Sequence, residues 1–130
     1  MAWQSGDLFE LDEYDYVSHV VGSGAHKGNW KKYWMDKTGR KFPRVCQIYG
    51  CSKRAVVGAH VYVKHLHQIF ILPSCQACNR DPDQKFDGTK ECWIQTKLSA
   101  LAVWVKRHEN TYEPEKNTTT ASSSQRPAGV

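Results

Sequence analysis

Val45–Arg80 reads VCQIYGCSKRAVVGAHVYVKHLHQIFILPSCQACNR and holds four of the five cysteines of the chain. They fall in two pairs, Cys46-x4-Cys51 and Cys75-x2-Cys78, with 23 residues between the pairs. Zinc(II) takes four thiolate or imidazole ligands tetrahedrally, and structural sites are closed by four protein ligands. Two ligands a few residues apart fit one tight turn. Two ligands separated by two residues fit the first turn of a helix, where the positive dipole end favours thiolates. The spacing predicts a zinc cofactor held by Cys46, Cys51, Cys75 and Cys78. Three alternatives stay open at this point. A pair of disulfides requires an oxidising compartment and leaves Cys92 over. The cysteines are otherwise unlinked core thiols, or His60 replaces one of them as a zinc ligand.

Between the pairs, Ala55–Val63 (AVVGAHVYV) is rich in β-branched residues and predicts a strand. Alternation puts Ala55, Val57, Ala59, Val61 and Val63 on one face and Val56, Gly58, His60 and Tyr62 on the other. His67–Leu72 (HQIFIL) predicts a second strand, joined to the first by Lys64-His65-Leu66. Ser74 is the expected helix N-cap, which leaves Cys75 and Cys78 on the first turn. Pro82 limits that helix, because it disfavours the helical conformation at Asp81. Asp81–Gly88 then reads as a loop.

Working outward, Tyr16–Val21 (YVSHVV) predicts a short strand. Trp30–Arg44 reads as a hairpin turning at Asp36–Gly39, with a short helix over Trp30–Lys37 closed by Gly39 as the competing reading. Lys90–His108 predicts an amphipathic core helix, its stripe formed by Trp93, Lys97, Ala100, Leu101 and Trp104. Cys92, at the start of that helix, is expected to be a buried thiol. From Glu113 the chain is polar and low in complexity, as in a disordered tail. The organisation expected is an acidic segment over 1–26, a zinc domain over 27–110 and a tail over 111–130. The fold class is α+β, a small zinc-stabilised domain flanked by a hairpin and a C-terminal helix.

The charge is uneven. Residues 1–26 carry Asp7, Glu10, Asp12, Glu13 and Asp15 and no Lys or Arg. Residues 27–54 carry nine basic residues against Asp36 alone, interleaved with Trp30, Tyr33, Trp34, Phe42 and Tyr49. Basic and aromatic residues interleaved suit a phosphate backbone and its bases. Lys31, Lys32, Arg40, Lys41, Lys53 and Arg54 are the expected nucleic-acid contacts, with DNA or RNA as partner. The plain reading of the same pattern is a solvated face over an aromatic core. The first sixteen residues lack the basic start and apolar stretch of a signal peptide, and no run is long enough for a membrane span. An intracellular location follows as the expectation, cytoplasmic or nuclear.

The order of Cys-x4-Cys, a strand containing Gly58-Ala59-His60-Val61, a hairpin, and Leu72-Pro73-Ser74-Cys75-Gln76-Ala77-Cys78-Asn79 resembles the zinc-bearing HNH endonucleases. Those are treble-clef proteins with a ββα-metal active site. The resemblance covers residues 44 to about 85. It implies that His60 is a general base and Asn79 a ligand to a second, catalytic cation, magnesium or manganese; the strand face that His60 shares with Val56 and Tyr62 equally suits a hydrogen-bonded core histidine. Three departures from the family pattern stand in this sequence. Ala59 precedes His60 where many members carry an acid. Phe70 and Ile71 occupy the region of the middle asparagine, and Gln68 is the nearest amide. Pro82 shortens the helix that carries the site. The expectation is a nucleic-acid-binding domain with an incomplete catalytic set. An active endonuclease using His60 is the first alternative. A zinc-stabilised protein-interaction module anchored by Trp3, Trp30 and Trp34 is the second.

Overall fold

A computed structural model describes residues 2–20, 29–81, 84–86 and 92–106. In chain order the elements are β1 (Leu8–Leu11), β2 (Tyr16–Val20), α1 (Trp30–Thr38), β3 (Val57–Val63), β4 (Gln68–Ser74), α2 (Gln76–Arg80), β5 (Lys85–Phe86), β6 (Ile94–Gln95) and β7 (Ala100–Trp104). The result is a small α+β fold. The strands form one sheet in the order β1-β7-β4-β3-β2-β5, and β6 also pairs with β2. All pairings are antiparallel except β2 with β5. The acidic N-terminal residues supply β1 and β2 to this sheet. No helix of the described residues is long and apolar enough to cross a membrane.

The hairpin β3–β4 is the centre of the sheet, and the alternation of β3 is as the sequence dictates. Ala59, Val61 and Val63 join Phe70 and Leu72 in one cluster, together with Cys46, Cys75 and Cys78. The opposite face carries Ile69 and Ile71 and receives α1. His60 pairs with Ile71, and Gly58 with Pro73. Gly58 is required by packing: a Cβ there would lie 2.6 Å from the carbonyl carbon of Trp30. The second strand starts at Gln68, because His67 sits at φ 55° in the connecting turn.

Trp30–Thr38 is a helix and not the first arm of a hairpin. Trp30, Tyr33 and Trp34 share a face only at helical spacing; in a strand, Tyr33 and Trp34 would point to opposite sides. All three are buried. The helix stops where Gly39 takes a left-handed conformation, φ 70°, and its N–H bonds the carbonyl of Met35. Trp34 Nε1 donates to Leu101 O at 2.9 Å, and the Tyr33 hydroxyl donates to Trp104 O, so α1 is tied to β7 by side-chain hydrogen bonds.

The expected C-terminal helix is replaced by β6 and β7. Ser99, at φ 60°, interrupts any helix through this segment. In β7, Ala100 and Ala102 join the cluster that holds Cys46, Cys75 and Cys78, while Val103 and, just beyond the strand, Val105 pack with α1. A strand buried on both faces reads as a continuous apolar run, which mimics the wide stripe of a buried helix. β7 fills the gap between β1 and β4, with Leu8 paired to Val103 and Ile71 paired to Val103 from the other side. Within the expected loop, Lys85 and Phe86 pair with His19 and Val20. Val21, Pro82, Asp83, Asp87 and the tail from residue 107 lie outside the described residues.

Candidate metal centre

The first cysteine pair sits on a knuckle. Val45 and Arg54 form an antiparallel bridge, and Cys46 N donates to Lys53 O at 2.8 Å. The tip closes when Cys51 N donates to Ile48 O at 3.1 Å, with Gly50 at φ 79° taking the left-handed position. The knuckle is held to the hairpin end by Gln47 N to Pro73 O and Val56 N to Ser74 O.

The second pair sits at the start of α2. Cys75 itself is the N-cap, one residue beyond the expected Ser74, and its Sγ accepts from Cys78 N at 3.3 Å. Ser74 ends β4, fully buried. Its hydroxyl accepts from Cys46 Sγ at 3.7 Å and donates to Cys75 O at 3.1 Å. As the proline predicts, the helix is short and ends at Arg80, with extended backbone at Asp81.

Across these two supports the four Sγ atoms of Cys46, Cys51, Cys75 and Cys78 all lie within 4.8 Å of one another. Tetrahedral coordination with metal–sulfur bonds of about 2.3 Å requires sulfur–sulfur edges of about 3.8 Å. Cys51 Sγ and Cys75 Sγ are 3.8 Å apart. All five cysteines are free in this structure. The four thiols are placed to hold one metal ion. His60 is not part of this sulfur cluster. Burial pushes the thiols of Cys75 and Cys78 above their ordinary range. At Cys51 burial acts in the same direction, but hydrogen bonds from the Lys53 backbone and from the neighbouring cysteines outweigh it and lower the value.

Sequence reasoning missed Lys97. Its ammonium donates to the carbonyl oxygens of both Cys46 and Cys51, and its N–H donates to Gln47 O at 2.9 Å. With the Ile48–Thr96 bridge and Tyr49 N to Gln95 O, residues 95–97 strap the knuckle from outside. The helix reading hid this, since it placed Lys97 on a stripe facing the core. Comparison with protein families, with curated proteins and with solved structures finds no match.

The remaining expected site residues are dispersed. His60 is buried, 5% exposed, and its ring meets Trp30 edge-on with centroids 4.8 Å apart. Asn79 is also buried, and its Oδ1 has no hydrogen-bond partner among the described residues. Gln68 lies opposite Val63, three residues along the hairpin from the partner of His60, and its Oε1 accepts from Trp104 Nε1 at 2.8 Å. Cys92 is half-buried just before β6 and not a core thiol. His65 reaches Asp15 at 3.2 Å, and His67 reaches Tyr62 at 3.3 Å.

Lys31, Lys32, Arg40, Lys41, Lys53 and Arg54 are all exposed. Lys32 pairs with Asp36 at 2.9 Å, and Lys31 lies over the ring of Phe42. The aromatics interleaved with them behave differently from one another. Trp30, Tyr33 and Trp34 are core residues, which removes Trp30 and Trp34 as anchors for a partner, whereas Tyr49 is 68% exposed. Trp3 is half-buried and packs edge-on against Phe9 and Phe70.

Proposed function

We propose that this chain is a treble-clef module that holds one structural zinc ion and binds nucleic acid without cleaving it. The observation that carries the metal reading is the division of four thiols between a knuckle and the first turn of a helix, with a β-hairpin between them. A closed set of four thiolates suits zinc and leaves no open coordination position for a reacting water. The role of the metal is therefore to join knuckle, hairpin and helix. Exposed cations on α1, after its C-cap and on the knuckle support the nucleic-acid reading.

The active endonuclease is the weaker alternative. The burial of His60 under Trp30 and the commitment of Gln68 to Trp104 both speak against a base positioned at a phosphate. The orphan Oδ1 of Asn79 is the feature that favours it. Incubation of the metal-loaded protein with supercoiled plasmid and magnesium or manganese separates the two. Retarded but intact plasmid, with binding that weakens as salt rises, is the expected result. Metal-dependent nicking overturns the binding-only reading, and no retardation at low salt overturns the nucleic-acid partner.

A further inference from the structure

The strap formed by residues 95–97, the adjoining Leu98 and the knuckle tip border an open concavity of about 510 Å³ that the metal site does not use. Its walls include Glu13, Tyr49, Gly50, Gln95, Lys97 and Leu98. Tyr49 and Leu98 are each 68% exposed and present large side chains to solvent. A Cβ on Gly50 would meet nothing within 4 Å, so the floor beside Tyr49 is open. The charges are two. Lys97 turns its ammonium to the carbonyls of Cys46 and Cys51. Glu13 is exposed and forms no ion pair among the described residues, while its backbone carbonyl is fixed by Gln95 Nε2 at 3.1 Å. Asp12 beside it is also exposed and orders the turn by accepting from Tyr14 N at 2.8 Å.

We infer that this concavity binds an arginine side chain presented by a basic peptide of a partner protein. The volume falls within the range of small-ligand sites. A planar guanidinium stacks on the face of Tyr49 and forks onto the Glu13 carboxylate, and its aliphatic stem lies along Leu98. A nucleobase would also stack on Tyr49. Its phosphates, however, would meet Glu13, and the one cation in the wall is already engaged. This inference is independent of the nucleic-acid proposal, whose cations lie on α1, after its C-cap and on the outer arm of the knuckle.

The test is a titration of the folded, metal-loaded, ¹⁵N-labelled chain with the peptide Ac-Gly-Gly-Arg-Gly-Gly-NH₂, followed by amide shifts. The expected result is saturable movement of the Tyr49, Gly50, Gln95 and Leu98 signals, absent with the glutamine analogue of the peptide. Glu13→Gln and Tyr49→Ala should each weaken binding by about tenfold. Both positions are exposed, and unchanged shifts elsewhere confirm that the variants fold. Equal movement with the glutamine peptide, or none with the arginine peptide, overturns the inference. So does oligothymidylate moving the same signals with an affinity that Glu13→Gln strengthens.

Discussion

The ammonium of Lys97 donates to the carbonyl oxygen of Cys51, 46 residues earlier in the chain. The same group bonds Cys46 O, so a single side chain closes the knuckle that carries half of the sulfur cluster. Hydrogen bonds from a charged donor contribute about 1.5–3 kcal/mol. Lys97→Met should lower the stability of the metal-loaded protein by about that amount and speed metal loss to a chelator. Urea denaturation and chelator-exchange kinetics check this. Wild-type values in both would show that the strap is incidental.

Gly58 supports the docking of α1. With the Trp30 carbonyl carbon 2.6 Å and its oxygen 2.7 Å from a Cβ at this position, Gly58→Ala must displace backbone and not a flexible side chain. Overpacking of this kind costs about 1–3 kcal/mol. The expected outcome is a lower melting temperature and a change in tryptophan fluorescence, with the metal retained because the four cysteines lie across the sheet. Unchanged stability would contradict the packing described.

The helix, the hairpin and the cysteine frame differ in how far they could be read from the residues. The four cysteines were legible because ligand spacing is local and the geometry of a turn or helix start converts it directly into position. The β3–β4 hairpin was legible because β3 is β-branched and alternates, and because the apolar run of β4 is short and lies between a turn and Pro73. Trp30–Thr38 was ambiguous because Gly39 closes a helix and a hairpin equally well, and the decision lay in the sheet surface that Trp30, Tyr33 and Trp34 cover. Ala100–Trp104 was misread because burial on both faces erases the period of two. Lys97 was lost with it, since its partners are carbonyl oxygens, which no side-chain pattern announces.

Charge on the α1 face gives a third prediction. If Lys31 and Lys32 contact phosphates, reversal of both to glutamate should weaken duplex binding. It should also flatten the log–log salt dependence by about 0.9 per lost contact. The fold should survive, because both side chains are exposed and the pairing of Lys32 with Asp36 is a surface pair of small value. Binding isotherms at several salt concentrations decide it. An unchanged slope would move the contact surface elsewhere.

His60 separates binder from enzyme. Loss of a general base costs about 10²–10⁴-fold in rate. His60→Ala should destabilise the domain, since it empties a space against Trp30, and should leave nucleic-acid affinity unchanged. A wild type that nicks plasmid with added metal, beside a folded variant that does not, would replace the binding-only account with the nuclease.

The proposal that one zinc ion joins the knuckle to α2 is tested by elemental analysis of protein purified without chelator. Structural zinc contributes on the order of 10 kcal/mol to small domains. The account predicts one zinc per chain in the wild type and in Cys92→Ser. Cys75→Ser should lose the metal and unfold. A folded wild type carrying no zinc, or a Cys75→Ser variant that stays folded without metal, would contradict it.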